Sequence, residues 1–337
     1  MTEQARYGRR LSSSSDDVSG LVLGTAALGN LFEPVDDDRV RETIASAWHS
    51  GVRSFDTAPH YGLGLAERRL GEAIRMLDLP RAELVISTKV GRILEPLDDV
   101  VGEDDEGYAV PRTHQRRWDF GPAGIRRSLD ESCARLGVDH VDVALLHDPD
   151  DHMQQAIREG YPALSSLRAE GRIAAIGAGM NSAPRLARLV AECDLDVVMI
   201  AGRYSLLDQS ALDDLLPTAS ARGTKVVVAG VFNSGLLAHA SPRADATYDY
   251  AAAPPVLVER ARQLALVCES FGVSLPQAAL QFPLGHSAVA AIALGARTPQ
   301  ELQADLGLLS APVPAELWDR LRETGLIRSD APSPPTR

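Results

Sequence analysis

Residues 121–147 read GPAGIRRSLDESCARLGVDHVDVALLH, and they contain one helix-to-strand unit. Ile125, Leu129 and Cys133 recur every four residues, which lines one face of a helix over Gly121–Leu136. After Gly137 the run Val141–His147 is apolar apart from Asp142 until it ends in histidine, as expected of a strand covered on both faces. Similar β-branched runs stand at Leu21–Gly24, Val52–Phe55, Leu84–Lys89, Ile173–Gly177, Val197–Ile200, Lys225–Ala229 and Val289–Leu294. Helical periodicity fills Asp36–Ser50, Asn181–Ala191, Ser210–Arg222, Val256–Phe271 and Pro299–Leu309, the first opening on three acids suited to a helix N-terminus.

Strands that alternate with helices pair in parallel through right-handed crossovers, and eight such units close a (β/α)8 TIM barrel, here a single α/β domain. An open doubly wound sheet is the rival. Against it, GTAALGN follows the first strand where a GxGxxG loop belongs, and no break in composition divides the chain. Arg92–Asp119 and Asn233–Pro255 are too long for ordinary connections, so they are expected as long βα loops that shape a pocket at the C-terminal face. The Ser- and Asp-rich residues 1–18 and the Pro-rich residues 329–337 are expected to be flexible tails around a barrel over 19–328.

Composition narrows the function. The chain has 337 residues, 45% hydrophobic and 24% charged, enough for a large core and too apolar for disorder. Thirty-four Lys and Arg against 46 Asp and Glu give a net charge of -12 without a basic stripe, which argues against nucleic acid and anionic lipid. Cys133, Cys193 and Cys268 are odd in number and lack CxxC spacing, so buried thiols in the cytoplasm are expected in place of disulfides or zinc. No run reaches the roughly 18 apolar residues of a membrane span, and no apolar stretch follows the basic N-terminal residues, so neither a membrane anchor nor secretion is expected.

Reacting groups of such a barrel stand at the C-terminal ends of its strands. The second run ends in Asp56, with Tyr61 just beyond in FDTAPHYG, the third ends in Lys89, and the fourth in His147. Each has an ordinary reading: a turn aspartate, a solvated lysine, a rim tyrosine, a structural histidine. Their joint occurrence at consecutive strand ends points to a site.

These four residues resemble the catalytic tetrad of the aldo-keto reductases, over about Gly20 to Leu326. FDTAPHYGLGLAERRLG, IGAGMN, AGRYSLLDQ, GVFNSGLL, TYDY and ALQFPLGH resemble the branch of D-threo-aldose 1-dehydrogenase and of L-fucose, L-galactose and pyridoxal dehydrogenases. The resemblance implies an NAD(P)-dependent oxidoreductase acting on a small carbonyl or sugar, with oxidation of an aldose to a lactone as the leading activity and reduction of aldehydes or ketones, or pyridoxal oxidation, as the alternative in the same fold. It also implies the cofactor contacts. Asn181 corresponds to the asparagine at the nicotinamide carboxamide, while Met180 replaces a serine, Ala201 replaces a glutamine, and Tyr204 is the ring expected to stack on nicotinamide. Gly230, Val231, Phe232, Asn233, Ser234, Gly235 and Leu236 match the pyrophosphate loop, and Gly295, Arg297 and Asp305 the adenosine end. Glu301 replaces the arginine of many NADP-dependent relatives. A carboxylate there repels a 2′-phosphate, so NAD is preferred, with NADP kept open by Arg297.

Chemistry gives the tetrad its logic. A phenol near its ordinary pKa of about 10 is a weak acid, and an ammonium at Lys89 is expected to lower it, with Asp56 holding the lysine and His147 orienting the substrate oxygen. Phe32, His60, Trp118 and Tyr248 are the candidates for substrate contact. Two readings compete: a metal-dependent hydrolase built on HDPDDH (147–152), and a nucleotide-sensing barrel without turnover. A bound metal is not expected. No surface feature indicates an oligomeric state.

Overall fold

Val85–Val90 (β3) and Val141–His147 (β6) lie side by side in parallel, Ser87 opposite Val143 and Val90 opposite Leu146. The computed structural model describes residues 20–100 and 102–334, so the expected tail over 1–18 lies outside the described residues. Leu21–Gly24 (β1) and Ser54–Asp56 (β2) flank β3 on one side. Ile173–Met180 (β7), Val197–Ala201 (β8), Lys225–Ala229 (β9) and Val289–Gly295 (β12) follow on the other. The eight strands close as β1-β12-β9-β8-β7-β6-β3-β2, with Leu21 opposite Ile292 at the seam.

Helices cover the outside because their apolar faces match. Asp37–His49 (α1) is capped by Asp36, which accepts from the Arg39 N–H at 2.8 Å, and buries Val40, Ile44 and Ala47. Pro122–Leu136 (α3) starts on a proline, ends on a left-handed Gly137, and buries the expected Ile125, Leu129 and Cys133. Ala183–Glu192 (α5), Leu215–Arg222 (α6), Pro255–Ser270 (α7) and Pro299–Ser310 (α9) continue the outer ring, which four helices that periodicity did not single out complete, among them Leu275–Gln281 (α8) and Ala315–Glu323 (α10). The other two are Leu65–Met76 (α2) and Tyr161–Ala169 (α4).

The α2 pattern is obscured because a charge and a glycine lie on its buried face. Glu67 is fully buried yet satisfied, accepting from Thr88 Oγ1 at 2.7 Å and Arg135 Nε at 2.6 Å. Gly71 touches the end of α3, where a Cβ would stand 2.2 Å from the Leu136 carbonyl oxygen. α4 follows a 3-10 turn and a π turn over residues 150–160, which interrupt the helical period.

Two apolar layers result. Inside the barrel Val22, Val85, Val143, Leu145, Val197 and Val227 interdigitate, and a larger layer joins the strands to the helices. Each fully buried Leu or Val contributes about 1.5–3 kcal/mol. The two long excursions are not plain loops. Arg92–Pro96 (β4) pairs antiparallel with His114–Trp118 (β5), and Thr247–Tyr248 (β10) with Ala251–Ala252 (β11). The expected fraying from residue 329 does not hold as far as Pro334: Ala331 is buried, and Arg322 Nη1 donates to its carbonyl at 2.9 Å and to Ser333 Oγ at 2.8 Å. Residues 335–337 lie outside the described residues.

Candidate active site

Asp56 ends β2 with a buried carboxylate, and the chain then turns tightly to present Tyr61. The turn requires Gly62, whose φ is +61° and where a Cβ would stand 2.2 Å from the Gly29 carbonyl oxygen. Lys89 reaches the same point from β3. Its Nζ donates to Asp56 Oδ2 at 2.5 Å, to the Thr57 carbonyl at 3.0 Å and to the Tyr61 hydroxyl at 2.9 Å. Ser87 Oγ donates to the other Asp56 oxygen at 2.7 Å, so the buried pair is fully hydrogen-bonded.

His147 ends β6 with its ring edge-on to Tyr61, centroids 6.3 Å apart. Its Nδ1 is buried and without a partner among the described residues, while its Nε2 lies 3.6 Å from Asp148 Oδ2, the side on which a ring proton meets an acceptor. Burial, with Lys89 and Arg92 adding, keeps this imidazole neutral by holding its pKa well below the usual histidine range. The tetrad therefore comes together as expected, with one correction to its electrostatics. Burial, with Asp56 adding, raises the Tyr61 phenol well above its ordinary value instead of lowering it. Seen from the phenol, Lys89 is compensated by the carboxylate that grips it, so burial decides.

The four residues line a cavity of about 640 Å³ at the C-terminal mouth of the barrel, within the usual size of a small-molecule site. From the tetrad it runs along strand ends carrying Gly179, Ala201, Ala229, Gly230, Ala293 and Gly295, whose small side chains leave a broad floor. That floor has the room and the small side chains to take a flat nicotinamide ring, and Met180 and Asn181 line the same cavity. Gly230 opens the predicted pyrophosphate loop with φ +64°, and Asn233, Ser234 and Gly235 also have positive φ, while the N–H groups of Asn233, Gly235 and Leu236 donate within the loop to the carbonyls of Gly230, Phe232 and Asn233 at 2.9, 3.1 and 3.3 Å.

The expectations for the stacking ring and for the side chains of the pyrophosphate loop are corrected. Tyr204 is fully buried against Phe282 at 5.3 Å and His286 at 6.1 Å, outside the cavity lining, and offers no stacking face. The left-handed Gly202 turns the chain just before it, and its ring enters the layer behind the strands. Val231 and Leu236 are core residues, and Phe232 packs against that core. The Asn233 side chain is tied inward, accepting from Ser205 Oγ at 2.6 Å and donating to the Gly202 carbonyl at 3.2 Å. At the expected adenosine end, Arg297 pairs with Glu33 at 3.0 Å and its N–H donates to Glu301, which stands with Asp305 on α9, beyond the mouth cavity.

Of the substrate candidates, Phe32 and His60 line the cavity. Trp118 and Tyr248 do not: Trp118 lies under the Arg92 guanidinium at 4.7 Å and stacks with His152, and Tyr250, two residues beyond Tyr248, takes the place at the mouth. In the hairpin the residue that reaches the mouth is set by the turn, which alternation alone does not reveal. Arg92, Glu106, Tyr108 and Asp148 also line the cavity and were not singled out as substrate contacts. Only Asp148 had a signal, its place directly after His147.

The HDPDDH stretch does not converge on a metal. Asp150 accepts from Arg185 at 3.1 Å, His152 lies against Trp118, and only His147 and Asp148 face the cavity. Among the described residues no group of three or more His, Cys, Asp or Glu is placed to hold a metal ion. No described helix is long and apolar enough to cross a membrane.

Known proteins share the fold and, in part, the sequence. The barrel is similar to that of a glycerol dehydrogenase from Gluconobacter oxydans, with a TM-score of 0.73 over 94% of this chain and 93% of that one, at 24% identity. In sequence the chain is 43% identical to a D-threo-aldose 1-dehydrogenase from a Pseudomonas species, covering 92% of this chain and 95% of that one. It is 37% identical to a pyridoxal 4-dehydrogenase from Microbacterium luteolum, covering 96% and 99%. The description Aldo/keto reductase family matches residues 20–325, from just before β1 to just beyond α10. A match of that extent leaves no part of the barrel unaccounted for, and the chain belongs to the aldo/keto reductase family of nicotinamide-dependent oxidoreductases.

Proposed function

We propose that this enzyme is an NAD-dependent dehydrogenase that oxidises the anomeric carbon of an aldose to a lactone. The observation that carries the reading is the Lys89–Tyr61 hydrogen bond of 2.9 Å on the floor of a cavity walled by charged hydrogen-bonding groups, in a chain 43% identical to an aldose dehydrogenase. A nicotinamide held along the floor at Gly179, Ala201 and Ala229 would supply the hydride acceptor for C1. Tyr61 takes the proton of the C1 hydroxyl, its Lys89 hydrogen bond stabilising the phenolate, and Asp56 holds the ammonium in place. His147 donates from Nε2 to the same oxygen and orients it. In the reverse direction the protonated phenol is the acid.

Arg92, Glu106 and Asp148 provide donors and acceptors for further hydroxyls, as a polyhydroxylated substrate requires. The preference for NAD is supported by Glu301, whose carboxylate is pinned at the start of α9 by accepting from the Arg297 N–H at 2.8 Å. Cys133, Cys193 and Cys268 are all buried and free, which supports a reducing compartment, the cytoplasm.

The test is spectrophotometric: L-fucose, L-galactose, D-arabinose, pyridoxal and simple aldehydes are offered with NAD(H) and NADP(H), above neutral pH for oxidation because that direction releases a proton. Reduced NAD is expected from at least one aldose. In Tyr61→Phe turnover falls at least about a thousandfold while nucleotide still binds. Turnover of pyridoxal alone, or nucleotide binding with no turnover of any substrate, overturns the reading.

A further inference from the structure

His60, immediately before Tyr61, is held by a different part of the chain. Its ring borders the cavity with 13% of the side chain exposed, edge-on to Tyr108 at 5.2 Å and to His147 at 5.7 Å. Nδ1 accepts a hydrogen bond of 2.7 Å from Nε of Arg116, which lies 56 residues further on in β5. Arg116 is itself fixed. Its Nη1 and Nη2 donate to the two oxygens of Asp104 at 2.5 and 3.0 Å, Nη2 also donates to the His60 carbonyl at 3.3 Å, and the two side chains are 4% and 0% exposed.

This arrangement determines where the imidazole proton sits. A guanidinium has donors and no acceptor, so the nitrogen it meets is the bare one and the proton is on Nε2. His60 Nε2 has no partner among the described residues, and its ring faces the cavity. Nor can the ring readily take a second proton. Burial, with Arg92, Arg116 and Lys89 around it, holds its pKa down to about 2. Glu106 lies 3.9 Å from Nδ1, but its carboxylate is engaged by Arg92.

We propose that His60 is a second neutral hydrogen-bond donor of the active site, positioned by Arg116 and Asp104, and that its Nε2–H recognises the oxygen on the carbon next to the reacting one. The assignment of a reacting oxygen to Tyr61 and His147 rests on the dehydrogenase reading. The His60 ring is 6.0 Å from that of Tyr61 and 5.7 Å from that of His147, so it faces the neighbourhood of that oxygen from a third side. Glu106 and Asp148 on the same wall accept the hydroxyl proton of the group that His60 donates to. The substrate class selected is therefore the 2-hydroxy aldehyde or its cyclic hemiacetal over the 2-deoxy or unsubstituted analogue. A polar site loses most when the expected hydroxyl is missing, because a buried donor is left unpaired.

Two measurements test this. Long-range 15N–1H NMR on the full-length protein reads the tautomer of each of the eight histidines, with His60→Gln identifying the His60 signal. The expected result is an Nε2–H ring that does not titrate between pH 5 and pH 8, and that loses this tautomeric purity or begins to titrate in Arg116→Met. An Nδ1–H ring or a titrating ring in the wild type overturns the assignment, and this measurement needs neither substrate nor a variant of Arg116.

The second measurement compares kcat/KM for an aldose and for its 2-deoxy analogue. In His60→Phe the loss is expected to be at least about tenfold larger for the 2-hydroxy substrate than for the 2-deoxy one. In Arg116→Met the same bias appears, and Arg116→Gln, which retains an N–H donor, restores part of it. Equal losses on both substrates overturn the recognition role. If the wild type oxidises no aldose, the dehydrogenase reading fails and with it the recognition role, whereas the tautomer measurement still decides whether Arg116 fixes His60.

Discussion

Asp148 shows what single residues add around the tetrad. Its Oδ2 lies 3.6 Å from His147 Nε2 and 3.8 Å from Arg92 Nη1, and burial, opposed by Arg92, raises its carboxyl to about 6. A raised value means that the proton is retained up to about pH 6 and that the charge is present only above it. Below that pH Asp148 no longer attracts Arg92 as an anion and presents a weaker acceptor to a substrate hydroxyl. For a sugar substrate kcat/KM is thus expected to fall as pH drops through about 6, and Asp148→Asn should remove this acid limb and lower the plateau by about tenfold, a loss of one charged hydrogen bond. A pH–rate profile of both proteins checks it; an unchanged limb in the variant rejects the role. The tetrad was legible because Asp56, Lys89 and His147 each close an apolar run, with Tyr61 a short turn beyond. The state of the Tyr61 phenol was not, since burial depends on what folds around it.

At the scale of elements, helix α9 illustrates how a local motif fixes a charge. Thr298 Oγ1 accepts from the Glu301 N–H at 3.0 Å while Glu301 accepts from the N–H of Arg297, one residue before the cap, at 2.8 Å, a box-like closure around the helix start. Glu301→Gln keeps the box and removes the negative charge. Unfolding midpoints should therefore stay within about 0.5 kcal/mol of wild type. The NAD-over-NADP ratio of kcat/KM should fall by about tenfold, and an unchanged ratio places the 2′-position of the ribose elsewhere. The β4–β5 hairpin was not legible as a pair, because HQRRW is polar and carries no alternating apolar pattern. Its strands nonetheless divide the work: Arg116 turns inward to Asp104 and His60, while Arg117 bonds Glu95 on the exposed side.

The molecule as a whole depends on strands approaching closely enough to close a ring. Gly177 on β7 lies against β8, where a Cβ would stand 2.1 Å from the Val197 carbonyl oxygen and 2.6 Å from Leu145 Cδ2. Neither the carbonyl nor the neighbouring strand can yield without disturbing the barrel. Gly177→Ala is expected to destabilise by about 3 kcal/mol or more, read from the midpoint of denaturant unfolding; a midpoint equal to wild type shows that the barrel relaxes there at no cost. The sequence by itself determined the barrel and the chemical identity of its reacting groups, since strand periodicity and strand-end residues are local features that survive without knowledge of neighbours. Only the tertiary structure decided that Tyr204 belongs to the core, that Tyr250 stands at the mouth in place of Tyr248, and that Arg116 governs His60. Each of these is a contact between segments far apart in the chain, created when the ring closes and the hairpin folds over its end, and no spacing along the chain encodes it.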